Sequence, residues 1–179
     1  MLSAAITVSA PAAEPIERED AKRFLRIDGD SLDGDVDMLI GAARGDIEDM
    51  TGLRLVEQTV EVRADAFSDF AHLEVGPVVA VAEIRYIDPQ GAPQVLEAAR
   101  YELTGAGLDR GIFAAIGATL PQMRTGRGAI VARLLVGYGG EGDALPQNLR
   151  WAMLAAIRGK FEDKPVDLVP LLVNARIGG

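Results

Sequence analysis

The feature that most constrains the fold is a change of period near residue 53. Val36, Leu39, Ile40, Ala43, Ile47 and Met50 recur at spacings of three and four, which puts them on one stripe of an α-helix. Gly52 follows as a C-terminal cap. From Leu53 the rhythm becomes two: Val56, Gln58, Val60 and Val62 alternate with Glu57, Thr59, Glu61 and Arg63, as in a strand with one buried face. A chain that switches once from helix to strand, instead of alternating between them, belongs to the α+β class.

The flanking segments extend this reading. Pro15 and "IEREDAKRFLRI" place acidic residues first, basic residues later and Ala21, Phe24 and Leu25 at helical spacing, which predicts a short first helix. "DGDSLDGD" supplies turn and capping residues before the second helix. "HLEV", "AVAEIRYI", "YELTG" and "AIVARLLVGY" read as further strands, with "DPQGAP" at 88–93 as a turn. A third helix starts at Pro146, and "EDKP" separates it from "VDLVPLLVNARI", where Pro170 suits a first helical turn. The expected architecture is a mainly helical α+β domain, with an N-terminal helix pair, a central antiparallel β block and C-terminal helices. A flexible or strand-adding arm occupies 1–14, a single domain 15–163, and a C-terminal segment 164–179. At 179 residues the chain has room for one ordinary core.

Much chemistry is disfavoured by what the chain contains. With 27 acidic against 18 basic residues, the net charge of -9 works against a broad grip on nucleic acid. There is no cysteine, so disulfides, thiolate metal sites and thiol nucleophiles drop out, and a reducing cytoplasm is the simplest setting. No apolar run is long enough to cross a bilayer, and no membrane partner is expected. Gly137, Gly139 and Gly142 match the spacing of a dinucleotide fingerprint. However, Asp143, Ala144, Leu145 and Pro146 separate them from the helix, and Glu141 and Asp143 would repel phosphate. The carboxylates Asp28, Asp30, Asp33, Asp35 and Asp37 miss the register of a calcium loop and read as helix-capping groups. His72 stands alone as a histidine and reads as a surface residue at a strand start. Trp151 reads as a core anchor. Arg124 and Arg127 in "RTGRG" are candidate contacts for a partner's carboxylate or a phosphate, beside the simpler reading of an exposed turn. No catalytic, cofactor-binding or metal-binding residue is assigned, and no enzyme activity or cofactor is expected.

The order of the motifs carries more than any one of them. "AKRFLRIDGDSLDGDVDMLIGAARGDIEDMTGLRLVEQTVEV", then "GPVVAVAEIRYIDPQGAPQVL", "YEL", "VGYGG" and "LPQNLRWAMLAAI" together resemble phage head-tail connectors (adaptors) of the gp6-like type. The likeness runs over about residues 9–177 and extends to prophage and gene transfer agent relatives. It implies a structural protein that forms a ring, usually of twelve copies, on the portal of a tailed phage or gene transfer agent particle. Such a protein carries the next connector, stopper or tail component and lets DNA pass through its lumen without specific binding. It would assemble in the host cytoplasm and end in the particle neck. An acidic wall suits a channel that must not capture DNA. Within that resemblance, Leu168, Leu171, Leu172, Arg176 and Ile177 are candidate portal contacts of a C-terminal docking arm; the alternative is that the segment packs on its own core. The competing functional reading is an acidic ligand- or protein-binding domain with no particle role.

Overall fold

A computed structural model describes residues 1–139, 145–175 and 177. The chain forms two compact units, one from residues 1–10 and 58–137 and the other from residues 11–57 and 138–177.

The first unit is β. Strands β1 (Ile6–Ser9), β2 (Gln58–Ala64), β3 (Val78–Ile87), β4 (Pro93–Val95) and β7 (Ile130–Val136) make a five-stranded sheet in the order β1-β2-β7-β3-β4, with every neighbouring pair antiparallel. The last strand in sequence sits at the centre. Leu134 on β7 lies opposite Val60 on β2 and Val81 on β3. The two-residue alternation buries Val60, Val62 and Ala64 of β2 and Ile130, Ala132, Leu134 and Val136 of β7, and β-branched side chains suit this pleated, half-buried surface. Phe70, Leu73, Val75, Ile84, Leu96 and Ile112 complete the core. Residues 6–9 of the N-terminal arm form one edge of the sheet. The other edge, β4, starts at Pro93, a position where a missing N–H costs no ladder bond.

Several elements differ from the sequence reading, among them β4, which takes Pro93 from the expected turn into a strand. "HLEV" is irregular, because its alternation comes from a loop that buries Leu73 and Val75 and ties the Leu73 N–H to the Arg110 carbonyl. Another is β6 (Asp109–Ala114), a strand the sequence reading lacked, which pairs residue for residue with β5 (Tyr101–Ala106), the expected "YELTG" strand. A glycine and two charged residues hide β6 from a hydropathy pattern. At Gly111 an added Cβ would stand 2.2 Å from the Ala71 carbonyl oxygen, so the approach of residues 67–71 to this hairpin requires glycine.

The second unit is helical: α1 (Arg18–Leu25), α2 (Asp33–Thr51), α3 (Gln147–Phe161) and the short α4 (Val169–Leu172). The expected stripe of α2 buries Val36, Ile40, Ala43 and Ile47, and Gly52 closes the helix in the left-handed conformation, its N–H bonded to the Glu48 carbonyl. α3 presents Leu149, Ala152, Met153, Ala156 and Ile157 to the interior, the one-face spacing of a packed helix. α2 packs along α3, with α1 and α4 against them. Pro146 is the residue just before α3 and not its first turn. Buried Glu48 accepts the Leu55 N–H at 2.9 Å; burial pushes its carboxyl above the ordinary value, while that bond and Arg44 at 3.6 Å pull it back. The class is α+β, but the strands occupy nearly as much of the described chain as the helices, because the β5–β6 pair adds to the β block.

Candidate interaction surfaces

The glycine cluster offers no phosphate cradle at its start. The N–H of Gly137, at the end of β7, is already bonded to the Pro77 carbonyl at 2.8 Å. Gly142, with Glu141, Asp143 and Ala144, lies outside the described residues. In the aspartate-rich stretch, Asp33 and Asp37 are engaged by α1. Lys22 Nζ donates to Asp33 at 2.7 Å and Arg18 Nε to Asp37 at 2.7 Å. Those bonds, from Lys22 first at Asp33 and from Arg18 first at Asp37, hold both carboxyls below the ordinary aspartate value. α2 therefore has ion-paired acids at Asp33, its first residue, and at Asp37, one turn on, where side-chain caps were expected; its N-cap Leu32 makes no side-chain cap bond. Asp28, Asp30 and Asp35 are exposed. Among the described residues no group of three or more His, Asp or Glu side chains is placed to hold a metal ion. His72 is half-exposed in the loop before β3, with Nδ1 3.4 Å from Asp109.

The outward face of the sheet in the first unit is rich in arginine. On its three central strands, Glu61, Arg133 and Glu83 occupy one row, and Arg63, Val131 and Arg85 the next. Glu61 accepts hydrogen bonds from Arg133 at 2.8 Å and from Arg85. The Arg133 bond is the main reason its carboxyl lies below the ordinary value. Arg85 also stands 3.2 Å from Glu83. Glu61, Arg85 and Arg133 line an open groove of about 480 Å³ that includes Arg63, Tyr86 and Gly128. A second groove, of about 430 Å³, adjoins it through Arg63 and adds Arg127 and Asp65. Asp65 accepts the Gly128 N–H at 2.7 Å. Of the two arginines of "RTGRG", Arg127 is thus brought beside Arg63. Arg124 is exposed, its backbone N–H bonded to the Ile87 carbonyl at the end of β3. The alternation placed Glu61, Arg63 and Arg133 on strands, but only the register of β2, β7 and β3 brings them together.

In the second unit the candidate C-terminal residues divide. Leu168 and Leu172 are buried against the helices, Leu171 and Ile177 are half-buried, and the Ile177 N–H bonds to the Thr51 carbonyl at 3.0 Å. Arg176 lies outside the described residues. The large apolar side chains that the segment turns outward are Val166, Val169 and Val173, the last 64% exposed. Trp151 corrects an expectation: it is 52% exposed and not a core anchor. It meets Phe24 edge-to-face at 5.9 Å between ring centroids, and the Arg158 guanidinium lies 3.9 Å over the same Phe24 ring while donating to the Phe24 carbonyl at 2.8 Å. α3 is apolar over so much of its girth that periodicity could not choose its inner face, and Ala152 and Met153 fill the core instead. Tryptophan and arginine side by side on a surface have the composition of protein-binding hot spots. No helix is long and apolar enough to cross a membrane among the described residues.

No protein-family model matches the sequence, and no curated protein is similar to it. Solved structures are similar over essentially the whole chain. A chain of the virion of a native gene transfer agent particle superposes with TM-score 0.77 at 22% identity, covering 99% of this chain and 99% of that one. A chain from the neck of an empty gene transfer agent particle, computed with C6 symmetry, gives TM-score 0.77 at 22% identity over 100% and 98%. One from the neck of the native particle, computed with C12 symmetry, gives TM-score 0.70 at 25% identity over 100% and 98%. The chain therefore shares the fold of chains in gene transfer agent particles, two of them from the neck, in line with the resemblance to head-tail connectors.

Proposed function

We propose that this chain, sharing end to end the fold of a particle-neck protein, is a structural head-tail connector, without enzymatic activity, in a gene transfer agent or tailed-phage particle. The observation that carries the reading is the coverage: at TM-score 0.77 the match to a chain of a gene transfer agent particle neck takes in 100% of this chain and 98% of that one, which supports a whole molecule built like a neck component. Copies would sit as a ring, twelve in number as in the C12 neck, on the portal protein, and pass the load to the next connector or tail component. The chain would assemble in the host cytoplasm. A net charge of -9 suits a ring whose lumen must let polyanionic DNA slide without holding it.

For portal contact we propose the C-terminal segment with its outward Val166, Val169 and Val173, together with Arg176, while Leu168 and Leu172 anchor the segment to the helices. Changing the three valines to serine leaves those anchors in place, so the protein should fold and yet lose portal attachment. Unimpaired attachment would reject this assignment. The connector role itself is tested by immunogold labelling of intact particles. Gold should collect at the head-tail junction, whereas labelling over the capsid or along the tail would overturn the reading.

A further inference from the structure

We infer that the arginine groove of the β unit binds the acidic α1–α2 loop of a second copy of this chain, in a head-to-tail contact between neighbours. The inference rests on the connector reading for its setting, and it concerns two sequence motifs that this reading leaves without a task.

The groove has spare positive charge. Glu61 is neutralised by Arg85 and Arg133, and Asp65 is occupied by the Gly128 N–H. Arg63 and Arg127, which line the same groove, make no ion pair with any described residue, and both are exposed. The loop has spare negative charge. Asp33 and Asp37 are taken by Lys22 and Arg18, but Asp28 and Asp30, with Asp35 just inside α2, are exposed and make no ion pair with any described residue. Each set lacks partners in its own protomer, and their signs are opposite. Guanidinium forks match carboxylates in bidentate geometry. Two different surfaces that recognise each other form a heterologous contact, the kind that closes into a ring when the rotation permits. Individually weak contacts of this type become firm when repeated around such a ring.

A charge exchange tests it in purified protein. Variant one carries Arg63→Glu and Arg127→Glu; variant two carries Asp28→Arg and Asp30→Arg. All four positions are exposed, so both variants should keep the wild-type circular dichroism spectrum. By sedimentation velocity at millimolar concentration and low salt, the wild type should self-associate, and added salt should weaken it, as expected for exposed charges. Each variant alone should associate at least about tenfold more weakly, because like charges then face each other. An equimolar mixture should recover association, since every groove again meets a loop of opposite sign. A wild type that stays monomeric, a variant that associates as the wild type does, or a mixture no better than its components would overturn the inference. None of those results bears on the gold labelling of particles, so this contact and the connector role fail separately.

Discussion

Gly159 sits in α3, where helix propensity argues for alanine and packing argues against it. The chain turns back after the helix, with the Lys164 N–H bonded to the Gly159 carbonyl at 2.8 Å. A Cβ at Gly159 would lie 2.7 Å from Val166 Cγ2 and 2.8 Å from the Lys164 carbonyl oxygen. The first contact can be relieved by a side-chain shift. The second involves backbone fixed by the bond just named, so the turn itself must move. Overpacking of this kind costs about 1–3 kcal/mol, against about 1 kcal/mol gained from alanine in a helix. Gly45 in α2 is the control, because a Cβ there meets nothing within 4 Å. Gly45→Ala should therefore stabilise by up to about 1 kcal/mol, while Gly159→Ala, with the helix gain set against the overpacking, should be destabilised by up to about 2 kcal/mol. Thermal melts followed by circular dichroism should separate the two variants by about 5–10 °C. Equal stabilisation by both would refute the close seating of residues 164–166 on α3, and with it the presentation of Val166 from that turn.

Three further outcomes follow from the packing and the charges. Leu134→Ala removes a fully buried side chain between Val60 and Val81, and denaturant titration should register a loss of about 2–5 kcal/mol. Glu61 has its carboxyl held below the ordinary 4.5 by Arg133 first, then by Arg85 and Arg63; its stabilisation is present above that value and is lost as pH falls through the lowered one. Glu61→Gln should thus be less stable than wild type near neutrality, and the difference should shrink on acidification; a gap that is constant with pH would show that the pairing is immaterial. Trp151→Ala should cost about 1 kcal/mol for the lost contact with Phe24, not the 3–5 kcal/mol of a buried tryptophan. As the chain's single tryptophan, it should emit like a solvated indole in the free protein and shift to the blue where a partner covers it.

The sequence is most legible where one face of an element is wet. α2 and β2 show their periods plainly because their outer positions are polar, and Gly52 marks the end of α2 as a left-handed cap. α3 is the opposite case: with apolar residues on nearly every side, nothing in its spacing distinguishes Trp151, which is exposed, from Met153, which is buried. β6 was hidden because Gly111 is required by the neighbouring Ala71 carbonyl and not by strand propensity. The arginine groove is a product of register, since Glu61, Arg85 and Arg133 are 24 and 72 residues apart in sequence and meet only because β7 is inserted between β2 and β3. The "RTGRG" arginines were noticed as charge at a turn, but the presence of Arg63 beside Arg127 depends on that same strand order.

The central claim is that this chain joins heads to tails. Electron microscopy of particles from a producing strain that lacks the gene, beside the same strain complemented with it, tests this most directly. The connector account predicts unjoined heads and tails, or heads that have lost their DNA, with whole particles restored by the complementing copy. Normal tailed particles from the deletion strain would contradict it.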